Sequence, residues 1–312
     1  MEEFLWVEKY RPNNIGDCVL PNELKKTLRE FVKDKNIPNL ILSGGPGVGK
    51  TTAAKAMLDE IGATSMMING SEESGIDVLR TKIKNFASTV SLEGTGRKYI
   101  ILDEADYLNP QSTQPALRGF MEEFSNNCGF ILTCNYISRL IPALQSRCSI
   151  VQFTTLKTEK PKLAMEFLVR VKDILNKENV KFDEKVVMEV LFKYFPDWRR
   201  VLNELQRYSA SGQIDAGMLT NLQEVNINEL MQALKKKEFT VVREWIVHNL
   251  NDDPSRIIRN IYDNLYDNVD ASTIPHAVVI LAEYSYKSAF VADHEINMLA
   301  CLTEIMGQVK FK

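Results

Sequence analysis

Residues 44–51 read Gly-Gly-Pro-Gly-Val-Gly-Lys-Thr, a complete G-x-x-x-x-G-K-[ST] phosphate-binding loop. Each residue type in it has a physical job. The glycines let the backbone bend so that the N–H groups of Gly45, Pro46-flanking Gly47, Val48 and Gly49 face an anion. Thr51-Thr52-Ala53-Ala54 opens a helix whose positive N-terminal end adds to that field. Lys50 is placed to reach the β- and γ-phosphates, and Thr51 to ligate Mg²⁺.

Two further constellations supply chemistry. Tyr99-Ile100-Ile101-Leu102-Asp103-Glu104 is an apolar strand that ends in two carboxylates. A parallel sheet presents its ligand site at the carboxyl ends of its strands. Asp103 then falls near the metal held by Thr51, and Glu104 is placed to polarise an attacking water. The same two acids could instead be surface groups after a buried strand. Asn135 follows a second apolar run, Phe130-Ile131-Leu132-Thr133-Cys134. Its amide could orient water or touch a γ-phosphate, although Asn is also common in turns. Arg147, in Ser146-Arg147-Cys148, could stabilise a phosphoryl group in a neighbouring subunit's site, or form an ordinary surface ion pair.

The elements that must position these residues follow from hydrophobic periodicity. Strands are expected at 39–42, 65–69, 99–102, 129–133 and 149–153. Helices are expected at 24–33, 51–61, 76–87 and 111–124. This alternation predicts an α/β domain with a parallel sheet covered on both faces. From Thr155 onward the strand pattern stops. Helices are predicted at 158–176, at 183–195 ended by Pro196, and at 197–208 with Asp197 as its cap. After a turn at 209–212 the rest reads as helical, at 228–236, 241–249, 255–268, 274–289 and 294–309. The Lys235-Lys236-Lys237 run suits a solvated helix end.

Composition narrows the class. A chain of 312 residues implies two or three domains. Its 45% hydrophobic and 25% charged residues are average for a soluble globular protein. No run of 18 apolar residues is present, which predicts no membrane span. The opening Met-Glu-Glu-Phe-Leu-Trp lacks the basic and apolar regions of a signal peptide. The 5 cysteines are scattered without a C-x-x-C pair, which argues against a zinc site or disulfide framework and suits a cytoplasmic, reducing compartment. With a net charge of −3, any nucleic-acid contact must be a local patch or be shared among subunits.

Trp6-Val7-Glu8-Lys9-Tyr10-Arg11-Pro12, the phosphate loop, Asp103-Glu104-Ala105-Asp106, Pro142-Ala143-Leu144-Gln145-Ser146-Arg147-Cys148 and Asp197-Trp198-Arg199-Arg200 occur in this order. The set resembles the AAA+ ATPase subunits of sliding-clamp loaders. Replication factor C small subunits share these motifs. The short final domain and Lys193-Tyr194-Phe195-Pro196-Asp197-Trp198-Arg199 are more similar to the loader large subunits of T4-like bacteriophages. Gly44-Gly45 departs from the Gly-Pro usual in the cellular family, without removing a loop N–H.

The resemblance implies three parts: an AAA+ nucleotide-binding domain at 1–154, a helical lid at 155–225 and an all-α collar at 226–312. It implies ATP and Mg²⁺ as cofactors. Val7, Glu8, Lys9 and Tyr10 would border the adenine and ribose, with Val19 close by. Asn135 would sense the γ-phosphate, Arg199 would be a second sensor from the lid, and Arg147 a finger acting in trans. Gln114 would couple the catalytic site to DNA-facing helices, and Arg118 would point across the subunit interface. Arg80, Lys82 and Lys84 would contact DNA phosphates, which carry affinity without sequence readout. Val90 and Leu92 would face the clamp. The implied partners are primer–template DNA, a ring-shaped sliding clamp, further copies of the chain and a distinct small subunit. A viral member would work in the cytoplasm of its infected host. Two other classes stay open at this point: a different DNA-acting AAA+ machine, such as a branch-migration motor or initiator, and a non-enzymatic scaffold subunit. Lys50, Thr51, Asp103, Glu104 and Arg147 together argue against the scaffold.

Overall fold

The computed structural model describes residues 4–73, 75–89, 96–156, 158–210, 212–214, 227–249 and 254–312. Val90 and Leu92 lie outside them. The chain divides into two units, Met1–Leu219 and Thr220–Lys312.

The first unit is built on five strands: β1 (Leu40–Ser43), β2 (Ser65–Asn69), β3 (Lys98–Asp103), β4 (Cys128–Cys134) and β5 (Ser149–Gln152). They pair in parallel in the order β2-β3-β4-β1-β5. Successive strand residues point to opposite faces, and the two faces fill separate cores. Leu40, Leu42, Tyr99, Ile101 and Ile131 pack with Leu28 and Met57. Ile41, Ile100, Leu102, Phe130 and Leu132 pack with Ile83, Leu117 and Phe120. The first face is covered by α2 (Asn22–Lys33) and α3 (Lys50–Glu60), the second by α4 (Ile76–Ala87) and α5 (Thr113–Glu123). A four-residue helix α1 (Trp6–Lys9) precedes them, and α6 (Pro142–Gln145) leads into β5.

Register decides which side chains meet. Leu102 pairs with Leu132 and Ser43 with Cys134. Asp103 is therefore level with Thr133. Asn135, one residue past β4, emerges beside the start of the phosphate loop, where the Gly44 N–H donates to the Cys134 carbonyl at 3.2 Å.

Three longer helices complete this unit: α7 (Lys160–Lys177), α8 (Glu184–Tyr194) and α9 (Trp198–Ser209). The Asp197 side chain caps α9 by accepting from the Arg200 N–H at 2.9 Å. Where only helices are expected from sequence, the structure adds a two-residue parallel pair, β6 (Lys181–Phe182) with β7 (Gln213–Ile214). Two-residue strands carry too little periodicity to be read from a sequence.

The second unit is all-helical: α10 (Ile227–Lys236), α11 (Phe239–Asn249), α12 (Pro254–Asn268), α13 (Ile274–Lys287) and α14 (His294–Gln308). Leu230, Leu234, Ile246, Ile261, Leu265 and Leu302 anchor its own core. The Asp293 carboxylate caps α14 on the Glu295 and Ile296 N–H groups. Among the described residues no helix is long and apolar enough to cross a membrane.

Candidate active site

Gly47 and Gly49 hold the phosphate loop in the left-handed region, at φ +68° and +94°, which side chains with a Cβ adopt at a cost. Gly49 immediately precedes α3, so the loop's N–H groups and the helix N-terminus lie together. Lys50 is buried. Its ammonium donates to the Gly44 and Gly45 carbonyls at 2.8 and 2.7 Å and to Asn135 Oδ1 at 2.8 Å. An ammonium has three donors, so all are engaged, and a phosphate must take the place of one of these acceptors. Burial lowers the Lys50 pKa. The charges of Asp103 and Asp106 work against that, and the Arg199 cation adds to it.

The Thr51 hydroxyl donates to Asp103 Oδ1 at 2.6 Å, and so does Thr133 at 2.6 Å. The Glu104 N–H donates to Thr133 Oγ1 at 3.1 Å, and Glu104 itself sits at φ +54°. One strand end thus carries both carboxylates, with Asp103 aimed at the phosphate loop. Thr51 and Asp103 offer two hard oxygens side by side, which suits Mg²⁺ bound through few protein ligands and substrate phosphates. Among the described residues no group of three His, Cys, Asp or Glu side chains is placed to hold a metal ion.

Buried Asp106 accepts from the N–H groups of Asn135 and Tyr136, both at 3.2 Å. This fixes the turn that carries Asn135 to Lys50. Gln114 is fully buried. It donates to the carbonyls of Leu108 (2.9 Å) and Arg139 (3.0 Å) and accepts from the Ile141 N–H (2.8 Å). It therefore ties the segment after β3 to the segment after β4.

A cleft of about 780 Å³, its open mouth included, runs from the loop to the helices after β5. Val7, Tyr10, Val19, Gly47, Gly49, Lys50, Thr51, Thr52 and Arg199 line it. Glu8 and Lys9 do not. Glu8 pairs with Arg11, whose guanidinium also donates to Thr52 Oγ1 at 3.0 Å. Lys9 pairs with Glu178 at 2.7 Å. Gly45, Pro46 and Val48 belong to the loop but not to the cleft wall, and Val48 is buried in the core beside α2 and α3.

Four further residues of the cleft come from the lid helices, and three of them carry no signal in local sequence. Phe167 and Arg170 come from α7, Trp198 and Leu202 from α9. Phe167 stacks on Trp198 with centroids 4.3 Å apart. Only Trp198, next to Arg199, stands in a motif that sequence reading singles out. The lid helices also touch the phosphate loop directly, since the Trp198 N–H donates to the Gly47 carbonyl at 3.1 Å.

Arg147 and Arg118 do not line this cleft. Both turn to Glu122: Arg147 at 2.5 Å and Arg118 at 3.7 Å. Arg147 also donates to the Ala143 carbonyl at 2.9 Å. The Arg147 guanidinium holds the Glu122 carboxyl below its usual range. On α4, Arg80, Lys82 and Lys84 are exposed, but they do not form one stripe. At 3.6 residues per turn, Arg80 and Lys84 leave from one flank of the buried Leu79–Ile83 face and Lys82 from the other. Each also has an acid nearby: Asp77 at 4.0 Å, Glu73 at 2.5 Å and Glu123 at 4.0 Å respectively.

A parallel sheet with a phosphate loop after β1 and two acids at the end of β3 defines a phosphate-loop nucleoside triphosphatase. Residues 40–156 match the family model of ATPases associated with various cellular activities. Residues 159–220 match that of the AAA+ ATPase lid domain of sliding-clamp-loader large subunits. The chain is 34% identical to the sliding-clamp-loader large subunit of Escherichia phage RB69, across 100% of this chain and 98% of that protein. The counterpart of Enterobacteria phage T4 is 32% identical, again across 100% and 98%. A replication factor C small subunit of Thermofilum pendens is 33% identical across 98% and 97%. The chain belongs to the AAA+ family of sliding-clamp-loader ATPase subunits, and it is an ATPase with an α/β domain, a helical lid and a helical C-terminal unit.

Proposed function

We propose that this chain uses ATP to load a ring-shaped sliding clamp onto primer–template DNA, as the ATPase subunit of a hetero-oligomer containing further copies of itself and a distinct small subunit. The observation that carries the reading is the division of the catalytic set. Lys50 and Thr51 line the cleft, Asn135 and Asp103 are hydrogen-bonded to them and Glu104 follows Asp103, while Arg147 touches none of these and pairs with Glu122 instead. Such a site needs a cation from a neighbour, which makes hydrolysis conditional on assembly.

In this reading the chain has three parts, 1–154, 155–225 and 226–312, the last joining subunits. Lys50 and the N–H groups of the loop bind the triphosphate, and Arg199 reaches it from the lid. Thr51 and Asp103 would hold Mg²⁺, which would supply neutralisation of phosphate charge when bound. Glu104 orients and deprotonates the attacking water. Asn135 reports the γ-phosphate, and Gln114 passes that state towards DNA. Arg147 of the next subunit completes the site, with Arg118 on the same interface. Loss of the γ-phosphate removes the contact that closes the assembly, so clamp and DNA are released. Arg80 and Lys84, on one flank of α4, contact DNA phosphates, and Lys82 does so from the opposite flank. The relatives over the full chain are clamp-loader subunits, which favours this over another DNA-acting AAA+ motor. For a phage member the site of action is the infected host's cytoplasm.

The test is ATP hydrolysis by the purified chain against protein concentration, with and without primer–template DNA, beside Arg147→Ala. Activity that rises with concentration and with DNA and collapses in the variant supports a shared site. A rate indifferent to all three refutes it for this chain.

A further inference from the structure

The segment that walls one side of the cleft has little secondary structure of its own. Beyond the four residues of α1 it is turns and loop as far as α2. On one side Thr52 and Glu60 of α3 accept from Arg11 and from the Ile15 N–H, both at 3.0 Å, and on the other side chains reach across from the lid helices. Glu178, the C-cap of α7, accepts from Lys9 at 2.7 Å and from the Tyr10 hydroxyl at 2.5 Å. Gln206 on α9 accepts from the Trp6 N–H at 3.0 Å and donates to the Phe4 carbonyl at 2.8 Å. Arg170 on α7 donates to the carbonyls of Tyr10 at 2.5 Å and Asp17 at 2.9 Å. Of these three lid anchors, Arg170 alone also lines the cleft, one turn after Phe167.

We propose that Arg170 is the positioning residue for the nucleotide's base: it clamps the Tyr10 and Asp17 carbonyls to the lid and so holds Val7, Tyr10 and Val19 opposite Phe167. The inference rests on the reading of the cleft as an ATP site. The physical reason lies in the guanidinium. It is planar, always charged and carries donors in a rigid fork, so one side chain can hold two carbonyls seven residues apart in a fixed relation. The loop between them, residues 11–16, has no sheet partner to do this. The base end of the cleft is thereby fixed to the same helices that touch the phosphate end through the Trp198 N–H. Arg170 acts on the base and not on the phosphates, because its hydrogen bonds are all to the wall.

That division is measurable. Binding of ATP and of inorganic tripolyphosphate, which lacks the base, is measured by calorimetry on the full chain with Mg²⁺, for the wild type, Arg170→Ala and Arg170→Lys. The wild type should bind ATP at least about tenfold more tightly than tripolyphosphate. Arg170→Ala should weaken ATP by about tenfold or more, the scale of losing charge-assisted hydrogen bonds, and leave tripolyphosphate within twofold. Arg170→Lys, with a compact ammonium that reaches one carbonyl, should fall between. An Arg170→Ala protein with wild-type ATP affinity overturns the proposal. So does equal weakening of both ligands, since that marks a merely structural arginine. If Arg170→Ala does not fold, the lysine variant decides by the same ratio. A wild type that binds tripolyphosphate as tightly as ATP shows instead that the cleft is no base pocket, and the parent reading fails first.

Discussion

Gly47 is the position where loop and lid are least able to tolerate a change. A Cβ added there would lie 1.7 Å from Asp197 Oδ1, 2.3 Å from its Cγ and 3.1 Å from its Cα. Reaching an ordinary contact of 3.4 Å means a retreat of about 1.7 Å by a carboxylate that is pinned as the cap of α9. Gly47→Ala should therefore lose the cap, worth ~1 kcal/mol, and the Trp198–Gly47 hydrogen bond, worth ~1 kcal/mol. It also places a Cβ at φ +68°, which costs about 1–2 kcal/mol. The expected destabilisation of the first unit is about 3–4 kcal/mol. Removing the obstructing carboxylate separates these effects. Glycine is itself a tolerable cap, so Asp197→Gly alone should cost a few tenths of a kcal/mol. In that background Gly47→Ala should cost little more than the backbone conformation, about 1–2 kcal/mol. A double-mutant cycle should therefore show a coupling of about 2 kcal/mol. Urea unfolding of the four proteins, followed through the transition of the sheet-containing unit, gives the number. Additivity within about 0.5 kcal/mol would mean that lid and loop do not touch as described, and the account of the cleft would fall with it.

Other expectations follow from the same geometry. Glu104→Gln should keep nucleotide binding but lose about 10²–10⁴ in turnover, the usual contribution of a general base; single-turnover hydrolysis at wild-type rate would refute its role. Arg147→Ala should lower DNA-stimulated turnover by about 10³ or more while leaving nucleotide affinity of the lone chain unchanged, as checked by equilibrium binding. The Lys9–Glu178 clamp has a defined pH window. Its hydrogen bond to Lys9 lowers the Glu178 pKa below 4.5 and raises the Lys9 pKa above 10.5. Its stabilisation is thus complete between those values, lost as pH falls through the depressed carboxyl value, and lost as pH rises through the raised amine value. Glu178→Gln should remove the acid-side loss specific to the strap, read as protease sensitivity near residues 4–10. Burial pushes the thiols of Cys18 and Cys128 up to about 11 and those of Cys148 and Cys301 up to about 12. Buried Cys18, Cys128 and Cys301 should not react with a disulfide reagent at pH 8 in the folded protein, and should do so in urea.

Local pattern and tertiary structure divided the protein between them along clear lines. The phosphate loop, the acids at the end of β3 and the parallel sheet are legible because each depends on short-range rules: glycines where the backbone turns, continuous apolar runs, a carboxylate at a strand end. Helix ends were legible where a cap or breaker marked them, as at Asp197 and Pro196. Register then made Asp103 level with Thr133 and brought Asn135 to Lys50, a step that no window of sequence contains. The base side of the cleft was illegible for the same reason. Tyr10 and Arg170 are 160 residues apart and meet only because α7 packs beside the N-terminal segment. Glu8 and Lys9 sit within the right motif but do not line the cleft; their side chains pair with Arg11 and Glu178. Arg80, Lys82 and Lys84 look like one basic run until helical phase separates them. Residue type, in short range, determined what chemistry was possible here; which of those groups face one another was decided by long-range packing, because only closure of the sheet and lid fixes distances between residues that the chain itself holds far apart.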